Sequence, residues 1–402
     1  MSKRITGRYE RTKVGGEEIA AFVPHALPPV APPILIDAAR GERIRAAEQA
    51  LVRLELAGEM VPSVDWFIYA FVRKEAVLSS QIEGTQATLV DLLSFEAQEG
   101  DEPSAPPNAD VEEICNYLDA LTFARAQLAD PKGLPLSMRL LNQTHERLMH
   151  GVRGAEKLPG EVRRSQNWIG GSRPGNAAYV PPPPNALGEV LSSFEKYLHA
   201  NDVLSPLVRA GLLHVQFETI HPYLDGNGRI GRLLVTLLLE HWKLLTKPLL
   251  YLSLFFKRHR EDYYRRLDAV RVDGDWESWL DFFLDGVTTI AEEAVASARE
   301  LFALVAADRS RALAHEGMSV VSLRLLELLP RHPVVTVASV MKLVETTKPT
   351  AGRAIELLAA ARVLVETTGK KRDRSFVYQA YLDRLRVGTE LRPRSLQETY
   401  RA

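Results

Sequence analysis

The chain has almost no cysteine: Cys115 stands alone among 402 residues. A lone cysteine excludes an internal disulfide framework and a multi-cysteine zinc site, and the ordinary place for it is a small buried position on a helix. Excess charge is missing too. Lys and Arg number 50 against 51 Asp and Glu, a net charge of −1. That argues against an overall nucleic-acid-coating surface and leaves local basic patches open. The apolar stretch Leu233 to Leu239 is broken by Thr236 and stops at Glu240-His241, far short of the ~20 residues that span a bilayer. Met1 to Glu10 is polar and basic without an apolar region, so no secretory signal is read there. No Gly-x-x-x-x-Gly-Lys-Ser/Thr phosphate loop occurs. What remains is a chain with 46% hydrophobic residues, enough for a substantial core and two or three domains. A soluble, cytoplasmic protein without membrane contact is expected.

What is present is concentrated in one turn. His221-Pro222-Tyr223-Leu224-Asp225-Gly226-Asn227-Gly228-Arg229 runs on through Ile230 and Gly231 to Arg232. Leu204 to Ile220 before it is helical in pattern, and Leu233, Leu234, Leu237, Leu238 and Leu245 after it fall at helical spacing. Pro222 cannot continue the first helix. Asp225-Gly226-Asn227-Gly228 is turn chemistry that reaches left-handed backbone angles. A second helix beginning at Asn227 or Gly228 points free N–H groups into that turn. Bare N–H groups and two glycines make a hole suited to phosphate. Arg229 and Arg232 share a face of the first turns. There they oppose the helix dipole at a cost of roughly 0.3–1 kcal/mol each, which a bound anion offsets. Asp225 beside such a hole suits Mg²⁺, which takes one carboxylate plus phosphate oxygens. His221 is the group that takes a proton near neutral pH. Together these describe phosphoryl-type chemistry.

A histidine beside a proline is ordinarily a helix end, and Asp-Gly-Asn-Gly is ordinarily a turn. The whole run is far more specific. It resembles the signature of the Fic family, His-Pro-Phe-x-Asp/Glu-Gly-Asn-Gly-Arg-x-x-Arg, with Tyr223 in the place of Phe. That aromatic packs in the core, so Tyr223 fits if its hydroxyl finds a partner. The resemblance implies a mainly α fold: a helical core, a β-hairpin flap and a C-terminal winged helix-turn-helix unit. It implies a Mg²⁺-dependent protein adenylyltransferase that moves AMP from ATP to a Ser, Thr or Tyr hydroxyl of a target protein, or of itself. His221 is then the general base, a role that contributes ~10²–10⁴-fold. Asp225 holds Mg²⁺. Gly226, Asn227 and Gly228 cradle the phosphates through backbone N–H groups, with the Asn227 side chain helping. Arg229 and Arg232 grip the β/γ end, and Ile230 and Gly231 complete the nucleotide-binding run.

Upstream, Ser79-Ser80-Gln81-Ile82-Glu83-Gly84 ends a helix read from Trp66. Gly84 is the stop. Glu83 sits in the last turn, where its charge is disfavoured by the dipole and wants a cation. A solvated glutamate is the bland alternative. The stretch resembles the inhibitory helix of Fic proteins, which implies a salt bridge from Glu83 to Arg232, with Ser79 fixing the helix. ATP then binds unproductively until Glu83 is displaced.

The rest of the chain is read more coarsely. Residues 1–42 look irregular, a Pro-rich strip around the body. Helices are expected over Ile44–Gly58, Val111–Leu128, Ser137–His150 and Leu187–His199, with a loop over Glu99–Asp110. His145 and His150 read as surface or core residues. Val162 to Ser172 forms a hairpin with glycines at its bend. It resembles the flap, which implies that Ile169, Gly170, Gly171 and Ser172 touch the nucleotide and clamp a target strand. His214 and Glu218 lie one turn apart, but a third metal ligand is lacking. Tyr263 and Tyr264 follow a basic run. By resemblance Tyr263 lies near the adenine, while a family Asn falls here at Arg271. Trp276, Trp279, Phe282 and Phe283 read as core, and a long helix runs from Val287 to Leu313.

Residues 318–386 look like a winged helix: helices over Leu323–Leu329 and Val337–Glu345, a third starting with Pro349 at its first position, then strands Val363–Thr367 and Ser375–Gln379 around a basic tip, Gly369 to Arg374. DNA binding through the tip, Lys348 and Arg353 is one role; protein interaction or homodimerisation is the other. The domain reading is 1–110 with the inhibitory helix at about 66–84, a catalytic core at 111–290, a connecting helix at 291–317, the winged helix at 318–386 and a tail at 387–402. Two rival functions stay open: removal of AMP or another phosphate-linked transfer by the same site, and a DNA-binding regulator that merely senses nucleotide.

Overall fold

The computed structural model describes residues 4–59, 64–98, 108–370 and 374–391. Of the irregular strip expected over residues 1–42, residues 25–37 hold no helix and no named strand, but a β-hairpin precedes them. Gly15 and Gly16 take φ of 59° and 86°, the two-residue turn whose twist matches paired strands. It joins β1 (Gly7–Val14) to β2 (Glu17–Pro24), with Val14 opposite Glu17. Gly-Gly between two strand-length runs is a signal that the proline count nearby obscures.

Helices then dominate. α1 (Ala38–Glu59) starts at Ala38 rather than near Ile44, and α2 (Val64–Ile82) follows. α3 (Leu89–Gln98) was not foreseen. Asn108 and Ser137 cap α4 (Ala109–Ala129) and α5 (Met138–Leu148) by accepting from Asp110 N and Leu140 N. Pro184, read as a stop, is instead the first residue of α6 (Pro184–His199), a position where a missing N–H costs nothing. α7 (Pro206–Ile220) and α8 (Asn227–His241) flank the signature turn as expected. α9 (Ser253–Arg258), α10 (Arg260–Asp273) and α11 (Trp276–Leu313) come next. α11 is unbroken from Trp276, so the aromatic run and the long helix expected from Val287 are one element.

The C-terminal unit holds α12 (Val320–Leu328), β3 (Val334–Thr336), α13 (Val337–Leu343), α14 (Lys348–Ala360), β4 (Val365–Glu366), β5 (Ser375–Val377) and α15 (Gln379–Leu385). Its antiparallel sheet has the order β3-β5-β4. The two strands expected are present but shorter, and β3 was not anticipated. Pro349 is the second helical residue of α14, after Lys348. Of the expected loop, residues 99–107 lie outside the described residues; so do 371–373 of the basic tip and 392–402 of the tail.

α7 is the axis of the core. All its residues except Pro206 and Glu218 are buried, so it is enclosed rather than amphipathic. Gly211 lets α11 approach: a Cβ there would lie 3.0 Å from the Phe283 ring, and Trp279 Nε1 donates to the Gly211 carbonyl at 2.9 Å. The same apolar core continues without a break into the C-terminal unit through Leu325, Tyr378 and Tyr381. No helix among the described residues is long and apolar enough to cross a membrane.

Candidate active site

The site is built where α7 stops. His221 caps α7 with φ 50° and ψ 63°, left-handed angles that are uncommon for a residue with a side chain. Arg163 holds it there. Its Nε donates to the His221 carbonyl at 2.9 Å, and its backbone N–H donates to the Pro222 carbonyl at 2.9 Å. The Tyr223 backbone is clamped by Asn227, whose Oδ1 accepts from Tyr223 N and whose Nδ2 donates to Tyr223 O, both at 2.8 Å. The Asn227 side chain therefore holds the turn together, a use its expected help with phosphates did not include, and leaves one Nδ2 hydrogen without a partner in the turn. The Tyr223 hydroxyl finds its partner in Asn142 Oδ1 at 2.8 Å, and its ring stacks on His145 at 3.9 Å between centroids.

The imidazole of His221 is half-buried. Burial first, then the Arg163 charge, hold its pKa down at about 4, so the ring is neutral at pH 7 and keeps a lone pair for a proton. Nδ1 makes no hydrogen bond of good geometry. Beyond it, Gly226 takes φ 73° just before α8 begins at Asn227, and the first N–H groups of a helix have no intrahelical partner.

That hole already receives a carboxylate. Glu83 stands just past the end of α2, where Gly84 at φ 103° breaks the helix. Its Oε1 accepts from Arg232 Nη2 at 2.7 Å. The same oxygen lies so close to Gly228 that a Cβ there would approach it to 2.1 Å. Arg232 is otherwise satisfied by Ser79, donating from Nε to Oγ and from Nη2 to the backbone carbonyl, both at 2.9 Å. Burial works against the Glu83 charge, but the Arg232 guanidinium outweighs it and holds the carboxyl below its ordinary range.

Asp225 and Arg229 face other partners. Asp225 Oδ1 accepts from Gly226 N at 2.7 Å, and Oδ2 pairs with Lys157 Nζ at 2.9 Å. Burial would raise its pKa, but Lys157 and the Gly226 N–H bring it below the usual value. Arg229 is buried against Glu113, 3.5 Å from Oε2, and Met149, so it is more enclosed than a phosphate-gripping residue was expected to be. Ile230 is core. Gly231 lies under Glu218, whose Oε1 would be 2.3 Å from a Cβ there. Among the described residues, no three His, Cys, Asp or Glu side chains gather for a metal. A cation at Asp225 would therefore need phosphate oxygens and waters, the set Mg²⁺ uses.

Two expectations need correction. Tyr263 is 1% exposed and its hydroxyl is bonded to His214 Nε2 at 2.8 Å. It presents nothing to a ligand, whereas Tyr264 is 42% exposed and lies in the field of Glu83 and Arg232. His214 gives its other nitrogen to the Gly231 carbonyl at 3.0 Å, which ends its candidacy as a ligand. The expected hairpin over 162–172 is reduced to one bridge. Ile169 and Tyr179 exchange backbone hydrogen bonds at 2.8 and 3.0 Å, and the bend runs through Gly170, Gly171 and Ser172 to a short 3₁₀ turn at Pro174–Asn176. Asn167 Nδ2 ties the base of this flap to the Tyr223 carbonyl at 3.1 Å. Its other side leans on the N-terminal hairpin: Phe22 N donates to Val180 O at 2.9 Å, and Gly175 N donates to Glu17 at 2.6 Å.

Sequence reasoning missed Lys157 and Glu113, for which no local pattern speaks, and treated His145 only as a surface or core residue. His145 Nδ1 accepts from Gly160 N at 2.9 Å and Nε2 meets the Asp225 carbonyl at 3.1 Å, so it props up the turn.

Comparison with known proteins covers the stretch that holds this turn. Residues 42–126 match the Fic/DOC family N-terminal region and residues 135–239 match the Fic/DOC family domain. A protein adenylyltransferase Fic of Culex quinquefasciatus is 30% identical over 175 residues, 43% of this chain and 32% of that one. One from Drosophila erecta is 30% identical over 168 residues, 41% of this chain and 30% of that one. The chain thus spans about a third of the length of the curated relatives it matches. A Fic family protein from Desulfovibrio desulfuricans G20 superposes with a TM-score of 0.55 at 22% identity, over 86% of this chain and 97% of that one. A Fic domain containing signaling protein from Bacteroides thetaiotaomicron VPI-5482 gives 0.50 at 19% identity, over 63% and 95%. At those identities the likeness is one of fold.

Proposed function

We propose, on the premise that this chain carries the Fic/DOC domains, that it is an autoinhibited protein adenylyltransferase. It moves AMP from ATP to a Ser, Thr or Tyr hydroxyl. The observation that carries this reading is the Glu83 carboxylate resting on Gly228 and Arg232, an intramolecular anion in the hole where a nucleotide phosphate would lie. The names of the curated relatives support the reaction class.

The chemistry asked of the residues is modest. The neutral imidazole of His221 takes the hydroxyl proton as that oxygen attacks the α-phosphorus. The bond from the α-phosphorus to the bridging oxygen breaks, and pyrophosphate leaves. Backbone N–H groups of Asn227 and Gly228 meet developing charge on the phosphates, while that of Gly226, expected to join them, is held by Asp225 Oδ1. Arg232, once Glu83 has gone, turns its Nη2 to the β/γ end. Asp225 would hold Mg²⁺, which supplies charge neutralisation to the phosphates when bound. The exposed edge at Trp168 and Ile169, each 37% exposed, offers main chain to an extended target segment.

The C-terminal helices and three-stranded sheet fit a winged helix. Lys348, Arg353, Lys370 and Arg374 are exposed on it, which favours a nucleic-acid or protein surface as a second role.

The test uses ATP labelled on the α-phosphate with Mg²⁺, the purified full chain and a lysate. Glu83→Gly is expected to label protein strongly where wild type labels weakly. Adding His221→Ala should reduce that by ~10²–10⁴-fold. If Glu83→Gly binds nucleotide yet labels nothing, the AMP-transfer reading fails. Removal of AMP, or salt-dependent duplex binding without turnover, would then lead.

A further inference from the structure

The loop between α5 and α6 has a feature that the transfer chemistry does not use. From Gly151 to Gly160 it folds over the Asp225 turn through four residues at positive φ: Gly151, Gly154, Leu158 and Gly160. Gly154 is the point of closest approach. A Cβ there would stand 3.1 Å from Asp225 Oδ2 and 2.8 Å from the Met149 methyl, so the loop can lie on the carboxylate only with glycine at this place. A turn closed by Lys157 N donating to Gly154 O at 2.8 Å then brings the Lys157 ammonium back to Asp225 Oδ2 at 2.9 Å. The far end of the loop is pinned beneath the same turn, where His145 bridges Gly160 N and the Asp225 carbonyl. The loop is anchored on both sides of Asp225 and delivers one cation to it.

We propose that Lys157 is a placeholder cation for Asp225. It occupies the carboxylate oxygen that a divalent cation would take, and it must be displaced when cation and nucleotide arrive. It thereby sets the divalent-cation concentration the site requires. This inference rests on the reading of Asp225 as the cation-holding residue. The chemistry fits an exchange. Asp225 keeps one oxygen on Gly226 N and lends only the other to Lys157. The ammonium is a compact charge on a flexible four-carbon stem, able to swing away without disturbing the loop. Its side chain is 44% exposed, so water receives it on release. Pairing at such exposure is weak, which makes it a threshold to cross and not a block.

The experiment measures Mn²⁺ binding by the loss of its free-ion paramagnetic resonance signal, with α,β-methylene-ATP equimolar to protein, no turnover, and the Mn²⁺ taken up by the same nucleotide without protein subtracted. Four full-length proteins are compared, all with Glu83→Gly: the parent, Lys157→Gln, Lys157→Arg and Asp225→Asn. Lys157→Gln is expected to bind Mn²⁺ more tightly than the parent, by about 1.5- to fivefold, the range an exposed ion pair allows. Lys157→Arg, which keeps the charge, should stay near the parent. Asp225→Asn should lose most of the affinity. Unchanged affinity in Lys157→Gln, with Asp225→Asn impaired, overturns the placeholder while leaving Asp225 as the cation residue. Weaker binding in Lys157→Gln also overturns it and makes Lys157 a phosphate contact. Parent-like binding by Asp225→Asn removes the premise and the inference together.

Discussion

Arg232 is the residue on which the proposed restraint turns. It is 2% exposed, and each of its hydrogen bonds goes to the end of α2: two to Ser79, one to Glu83. A buried guanidinium needs those partners, since an unpaired charge at that depth costs several kcal/mol. Ser79 thus fixes the guanidinium so that Glu83 meets it in line. Ser79→Ala removes one charge-assisted bond, about 1.5–3 kcal/mol of restraint. The expected outcome is basal AMP labelling roughly ten- to a hundredfold above wild type and below Glu83→Gly, read in the α-phosphate assay. Labelling no higher than wild type in a folded Ser79→Ala protein would show that Ser79 is a packing residue only. The pairing of Glu83 with Arg232 was legible in the sequence only through family resemblance. Nothing local says that a glutamate 149 residues upstream meets that arginine.

At the scale of elements, the end of α2 is held from a second side. Gln81 donates from Nε2 to the Ala87 and Thr389 carbonyls, both at 2.8 Å. Lys257, at the end of α9, donates to Gln81 Oε1 at 2.6 Å and to the Gly388 and Glu390 carbonyls at 2.9 and 2.8 Å. The strap after α15 and the end of α2 that leads into Glu83 therefore share one lysine. Lys257→Met keeps the stem and removes the donors. Amide hydrogen exchange in this variant should quicken in peptides covering 387–391 and 80–88 together, with α7 unchanged. Faster exchange in the strap alone would mean the two ends are not coupled. Helix positions around this latch were readable from apolar spacing, as α2, α7 and α8 show. The β1–β2 hairpin and α3 were not, because short elements carry too few repeats to set a period against the prolines and loops beside them.

Across the whole molecule, buried histidines oppose acid. His214 is fully buried, and burial lowers its pKa to about 4. The unfolded chain takes that proton near pH 6.5, while the folded chain refuses it until about 4. Falling pH therefore favours unfolding, and the loss is complete below the folded value. His214→Gln removes this one linkage. The stability advantage of wild type over the variant should narrow by roughly 2–3 kcal/mol between pH 7.5 and 4.5, measured by urea unfolding at both pH values. A difference constant across that range would mean His214 titrates normally. Such a comparison isolates His214 from Glu75 and Glu218, whose pKa values burial raises to about 7 and whose linkage runs the other way.

The sequence alone determined the turn between α7 and α8: Pro222 ends one helix, Gly226 and Gly228 permit the bend, and the next helix starts with free N–H groups. These are local properties, set by backbone sterics within a few residues. Tertiary structure decided who faces that turn. Lys157, Glu113 and Glu83 reach it from loops and helices far off in the chain. It decided that Tyr263 turns inward to His214 while Tyr264 turns out. Periodicity fixes which residues share a helix face, but only the packing of one helix against another fixes which face meets the site.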